Sequence, residues 1–191
     1  MAASKLPIRP VRMPADLANQ KNGLLEPGLL RTVRPYGQLH RLAADAYEAL
    51  REAARPFGDE VRPIKPTSSL DAYRPLSAQE RVFYARYTTE YQPKPKSIRT
   101  YKGQVWYLRS NDLAPVATPG TSFHGWGLAV DIWNASGKRL QWLLDHAQHY
   151  GFSWELQSEP WHIRYVVGDK VPPAVQRWKD SHANGSDRRP N

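Results

Sequence analysis

The stretch TSFHGWGLAVDIW, residues 121–133, decides the reading of this chain. Leu128, Val130 and Ile132 alternate as one apolar face of a strand. Asp131 sits between two of them, where a charge is costly unless something compensates it. A metal ion would do so. His124 lies seven residues upstream, and Gly125 and Gly127 allow the tight backbone that would fold it back beside the Asp.

Downstream, Ser136 caps a helix carrying Leu140, Leu143, Leu144 and Ala147 on one side, with Gly151 as its stop. FSWELQ (152–157) and WHIRYVV (161–167) read as two strands joined near Glu159-Pro160. Upstream, IRTYKGQVWYL (98–108) reads as a hairpin turning at Lys102-Gly103. Ser77 and Glu80 have the spacing of a capping box, opening a helix through Tyr87. RLAADAYEALREAARPFG (41–58) is helical, with Leu42, Ala46, Ala49, Leu50 and Ala53 on one face and Pro56 and Gly58 closing it. EVRPI (60–64) reads as a short strand and SSLDAYR (68–74) as strand into turn. Helices and antiparallel strands mix without βαβ regularity, so the expected class is α+β, a small central antiparallel sheet with flanking helices. Residues 1–30 form a Pro-rich extended lead-in, 31–178 the domain, and 179–191 a polar tail that frays.

The composition narrows the chemistry. The 191 residues contain no Cys, so any zinc here relies on His and carboxylates. The N-terminus lacks an apolar signal core, and no run approaches the roughly 20 apolar residues of a spanning helix. The expectation is synthesis in a cytoplasm without membrane insertion. The net charge of +9 is concentrated: residues 67–110 carry eight Lys/Arg against three Asp/Glu. A basic face suits a polyanion such as a wall polymer, a carboxylate-rich peptide or nucleic acid, and serves equally as a solvated surface.

Zinc hydrolases present three protein ligands and keep one position open. His124, Asp131 and His162 are candidates, the last in Glu159-Pro160-Trp161-His162, where Glu159 is a spare carboxylate beside a ligand, as a general base would be. Taken singly each has an ordinary reading: a core or surface His, an Asp paired with Arg, a plain turn. His146 and His149 suit a solvated helix face, and His40 and His182 have no carboxylate close in sequence. No His-Glu-x-x-His helix, P-loop or dinucleotide fingerprint is present.

Taken jointly, Ser122-x-His124-x-x-Gly127-x-Ala129-x-Asp131 followed by Glu159-Pro-Trp161-His162 resembles the VanY-type D-alanyl-D-alanine carboxypeptidases and the related phage L-alanyl-D-glutamate endolysins. These are zinc peptidases of the lysostaphin/D-Ala-D-Ala/hedgehog fold group. DAYRPLSAQ (71–79) is similar to that family's Tyr-Arg segment with its following Gln, and the likeness spans roughly residues 40–168. The resemblance implies one zinc held by His124, Asp131 and His162, with Glu159 as base and proton shuttle. It implies Arg74 as oxyanion stabiliser or substrate ligand, and Ser122 and Gln79 at the substrate. Phe123 stands where many relatives carry a polar residue, which bears on substrate fit. The implied partners are peptidoglycan stem peptides and anionic wall polymers, reached after release from a cell or as part of a virion. Nucleic acid ranks below them, since motif-spaced His and carboxylates do not serve it. The bond cut, terminal D-Ala or L-Ala–D-Glu, stays open. So does a non-catalytic zinc-containing wall-binding module of the same fold.

Overall fold

The Ala-rich run forms α1 (Arg41–Ala53), which buries Ala43, Ala44, Ala46, Tyr47, Ala49 and Leu50. Small side chains on that face let neighbouring elements approach closely. α1 follows a two-stranded ribbon, β1 (Leu30–Thr32) and β2 (Gln38–His40). The computed structural model describes residues 5–185.

EVRPI is not a strand. Pro63 has no N–H to donate to a ladder, and the carbonyls of Asp59, Val61 and Arg62 are taken by the buried guanidinium of Arg139. SSLDAYR is not a strand either. Residues 69–71 form a 3-10 turn, and the Ser68 hydroxyl donates to Asp71 at 2.7 Å, a local bond that competes with a ladder. α2 (Leu76–Arg86) starts one residue before Ser77, so the expected capping box does not form. The Pro75 carbonyl accepts from the backbone of Ala78 and Gln79. Glu80, the other half of the expected box, instead accepts from Tyr101 and Lys102 of the hairpin.

β3 (Tyr87–Thr88), β4 (Ile98–Tyr101) and β5 (Gln104–Leu108) make an antiparallel sheet in the order β3-β5-β4, with the hairpin turn at Lys102-Gly103. It has its own small core: Phe83, Tyr87 and Leu108, ringed by Tyr84, Tyr101 and Trp106.

The segment at 121–133 is strand only in β6 (Ala129–Asp131); residues 123–126 form a 3-10 turn instead. α3 (Gly137–His146) runs into a 3-10 turn that stops at Gly151, where φ is 84°. Ser136 stands at the N-cap position, although its hydroxyl donates to Asn134 rather than accepting from the helix. β7 (Phe152–Trp154) and β8 (His162–Tyr165) are shorter than the sequence suggested, and the sheet order is β6-β8-β7, antiparallel throughout. Every residue of β7 and β8 is buried.

The tail reading from 179 is corrected by α4 (Pro173–Gly185). Its polar side chains find acidic partners on α1: Trp178 donates to Glu52, and Lys179 pairs with Asp45. The expectation for residues 186–191 lies outside the described residues. Ahead of α1, Leu6, Leu17 and Leu25 are buried in the main core, and Ile8 bridges to Trp154 along the edge of β7. The class is α+β, with antiparallel sheets and flanking helices. Among the described residues no helix is long and apolar enough to cross a membrane.

Candidate metal centre

The site is assembled around the turn that carries His124. Ser122 caps it, its hydroxyl accepting from the His124 backbone at 3.3 Å. Gly127 closes it with φ at 64°, and a Cβ there would lie 2.6 Å from the His40 backbone nitrogen. At Gly125 a Cβ would meet the Asn22 side chain, whose amide also donates to the Ser122 carbonyl at 2.7 Å. The two glycines thus let other chain segments press directly on this turn.

Two of the three candidate ligands come from the sheet. In the β6–β8 register Asp131 lies opposite His162, and directly opposed residues hold their Cβ atoms about 4.5–5.5 Å apart. His162 Nδ1 is 2.7 Å from Asp131 Oδ1, and His124 Nε2 is 3.2 Å from Asp131 Oδ2. One ligand atom from each of His124, Asp131 and His162 lies within 4.8 Å of the other two. With both His buried and Asp131 half-buried, this is the hard-and-borderline N/O set that zinc takes in open three-ligand sites. The outer nitrogens also fit. His124 Nδ1 is 2.8 Å from the Ala72 carbonyl, which can only accept, so Nδ1 carries the proton and Nε2 faces Asp131.

The local electrostatics favour a negative Asp131 beside positive charge. Burial opposes the carboxylate, but its contacts with His124 and His162 outweigh it and lower the Asp131 pKa. Burial likewise opposes a charged His162, yet its bonds to Asp131 and Glu155 win and raise it to about 9 in the metal-free chain. For Glu155 the His162 bond is the largest effect, lowering the pKa against burial.

The remaining candidates lie around this cluster. Arg74 is partly buried, with Nη2 3.8 Å from Asp131 and 3.3 Å from Asp71, and Nε donating to the Leu70 carbonyl. Gln79 is buried; its amide donates to the Arg74 carbonyl and to Asn22 and accepts from Gly120. Glu159 is half-buried in the turn before β8, and its carbonyl accepts from the His162 backbone at 3.0 Å. Its carboxylate has no hydrogen-bond or ion-pair partner among the described residues, and it is outside the three-residue cluster. A groove of about 540 Å³ runs past Asp131, lined by Thr67, Asp71, Asn134, Ser136 and Trp161. A larger cavity of about 980 Å³ lies between α1 and α4, but it holds none of these residues and its arginines are mostly paired with acids.

A family profile described as VanY, D-alanyl-D-alanine carboxypeptidase, matches residues 37–169. The chain belongs to that family. Among curated relatives is YodJ of Bacillus subtilis, named "Putative carboxypeptidase". It is 28% identical over 159 residues, covering 72% of this chain and 50% of the relative. A D-alanyl-D-alanine carboxypeptidase of Enterococcus faecalis is 32% identical over 135 residues, covering 61% of this chain and 44% of the relative. The chain therefore spans about half the length of the curated relatives it matches. Among solved structures, VanYB in complex with D-alanine-D-alanine aligns at a TM-score of 0.48 and 21% identity, over 84% of this chain and 89% of that one. A variant of the vancomycin-resistance D,D-pentapeptidase VanY in complex with Zn(II) aligns at 0.48 and 24% identity, over 78% and 83%.

Two residues at the site carry no motif signal. Asn22 reaches it from 100 residues away in sequence, out of the Pro-rich lead-in. Glu155, at 3.0 Å from His162 Nε2, lies in FSWELQ, which shows only a strand pattern. Continuing the β7–β8 pairing by one residue would have placed it opposite His162.

Proposed function

We propose that this chain is a zinc metallopeptidase that hydrolyses peptidoglycan stem peptides, with the terminal D-Ala–D-Ala bond as the bond cut. The observation that carries the reading is the convergence of His124 Nε2, Asp131 and His162 Nδ1 on one point beside an open groove. Family membership and the names of the relatives favour the carboxypeptidase bond over L-Ala–D-Glu.

These three side chains would hold a zinc ion, which would supply Lewis-acid activation of water and of the scissile carbonyl. Glu159 brings an unpartnered carboxylate to the same turn as His162; it accepts the proton of the attacking water and returns it to the leaving amine. Arg74 offers a guanidinium beside Asp131, where negative charge develops on the carbonyl oxygen. Gln79 acts beneath it, fixing the Arg74 backbone by hydrogen bond. Ser122 sets the His124 turn through its cap. The site works on the cell wall.

Mass spectrometry of defined muropeptides after digestion tests the reading. Loss of one terminal alanine is expected. Separation of the stem after its first residue would reassign the bond. No cleavage across the near-neutral range with zinc bound would replace the enzyme by a wall-binding module.

A further inference from the structure

A second carboxylate stands at the end of the site sheet, across His162 from the first. β6 places Asp131 opposite His162. On the other side of β8 the pairs are Ser153 with Arg164 and Trp154 with Ile163, where the ladder ends; Glu155, the residue after β7, reaches His162 through its side chain. The result is a row: Asp131 on β6, His162 on β8 and Glu155 just past the end of β7. The imidazole sits between the two acids, with Nδ1 2.7 Å from Asp131 Oδ1 and Nε2 3.0 Å from Glu155 Oε2.

Glu155 is itself held. Its Oε1 is 3.6 Å from Arg164 Nη1, two residues along β8 from His162. Arg164 is 6% exposed and anchored by Nη2 to the Trp154 carbonyl at 3.0 Å and to the Arg9 carbonyl at 3.3 Å. Its guanidinium also lies 4.7 Å from the Phe123 ring centroid, beside the His124 turn. The chain of contacts runs from the lead-in through Arg164 and Glu155 to one candidate ligand.

We propose that Glu155 is a positioning residue of the metal centre. It accepts the Nε2 proton of His162, fixes the tautomer that leaves Nδ1 for the metal, and holds the ring in the plane that meets Asp131 and His124. The proposal rests on the reading of His124, Asp131 and His162 as metal ligands. It assigns to His162 what the Ala72 carbonyl does for His124. A carboxylate in this place also makes the imidazole a stronger donor than a carbonyl would. A plain ion pair with Arg164 is the lesser interaction, since the 3.6 Å separation exceeds hydrogen-bond distance while the contact to His162 does not. Its place on the Nε2 edge of the ring, away from the cluster, separates Glu155 from the role given to Glu159.

Zinc affinity of the wild type, Glu155→Gln and Glu155→Ala, measured by chelator competition, tests this alongside NMR of the histidine ring nitrogens in the zinc-loaded proteins. Outer partners of a ligating His typically contribute about 10–100-fold in metal affinity. Glu155→Ala should lose that much, and Glu155→Gln, which keeps an acceptor of the same shape, about tenfold or less. The His162 Nε2–H signal should be sharp in the wild type and lost to exchange in Glu155→Ala, with His124 Nδ1–H unchanged. If Glu155→Ala does not fold, Glu155→Gln still carries the affinity and NMR comparison. Wild-type zinc affinity and an unmoved His162 signal in the variants would overturn the positioning role while leaving the metal centre standing. A wild type that binds no zinc would remove the metal centre, and the role of Glu155 with it.

Discussion

Among the described residues there are two three-stranded antiparallel sheets with the same strand order, first-third-second, put to different uses. In β6-β8-β7 both faces are buried and both edges are covered. Ile8 bridges to Trp154 on one side, and Pro66 bridges to Ile132 beside β6 on the other. In β3-β5-β4 one face packs on Phe83, and the other leaves Ile98 50% and Val105 47% exposed. The cross-strand row of the first sheet is polar and charged; a matching row of the second, Ile98, Tyr107 and Thr88, carries no charge. Burial is what turns a row of opposed side chains into a site. It fixes the ring planes, strips water from the charges and makes each unpaired group costly.

The largest contrast is expected in turnover. Glu159→Gln is nearly isosteric and removes a base, so muropeptide hydrolysis should fall about 10²–10⁴-fold with bound zinc unchanged. Val105→Ala on the hairpin should leave turnover alone. Equal rates for wild type and Glu159→Gln would take the base role from Glu159.

Stability should divide the sheets next. Ile163 is 0% exposed in β8, and Ile163→Ala should cost about 2–5 kcal/mol in denaturant unfolding. Val105→Ala, at the half-exposed position, should stay within about 0.5 kcal/mol. Similar costs would mean that the hairpin sheet is part of one continuous core.

A smaller effect concerns pH. The folded, metal-free His162 has its pKa raised from 6.5 to about 9 by its two acids, despite burial. Its charged form therefore contributes stability below about pH 6.5, and this is lost as pH rises through about 9. Zinc at Nδ1 must displace that proton. Between these values zinc affinity should rise with pH, approaching about tenfold per unit. A flat profile over that range would mean that His162 gives up no proton.

The sequence exposed the site unevenly, for physical reasons. His124, Asp131 and His162 stood out because a charge flanked by Val130 and Ile132 demands a partner and the His residues sit at motif spacing. The hairpin stood out because half its positions face water and its turn is Lys102-Gly103. Glu155 did not, since strands buried on both faces lose the alternation that reveals which side chains share a row. Arg139 did not, because a side chain feeding four backbone carbonyls leaves no periodic trace. α4 was hidden by polarity that is satisfied only once Asp45 and Glu52 of α1 are beside it.

Metal content tests the central claim most directly. Wild type and His162→Ala, freed of metal, reloaded with zinc and dialysed, would be compared by elemental analysis. One zinc per wild-type chain and well under one in the variant is the predicted result. Undiminished zinc in His162→Ala, or none in the wild type, would contradict the account of His124, Asp131 and His162 as one metal centre.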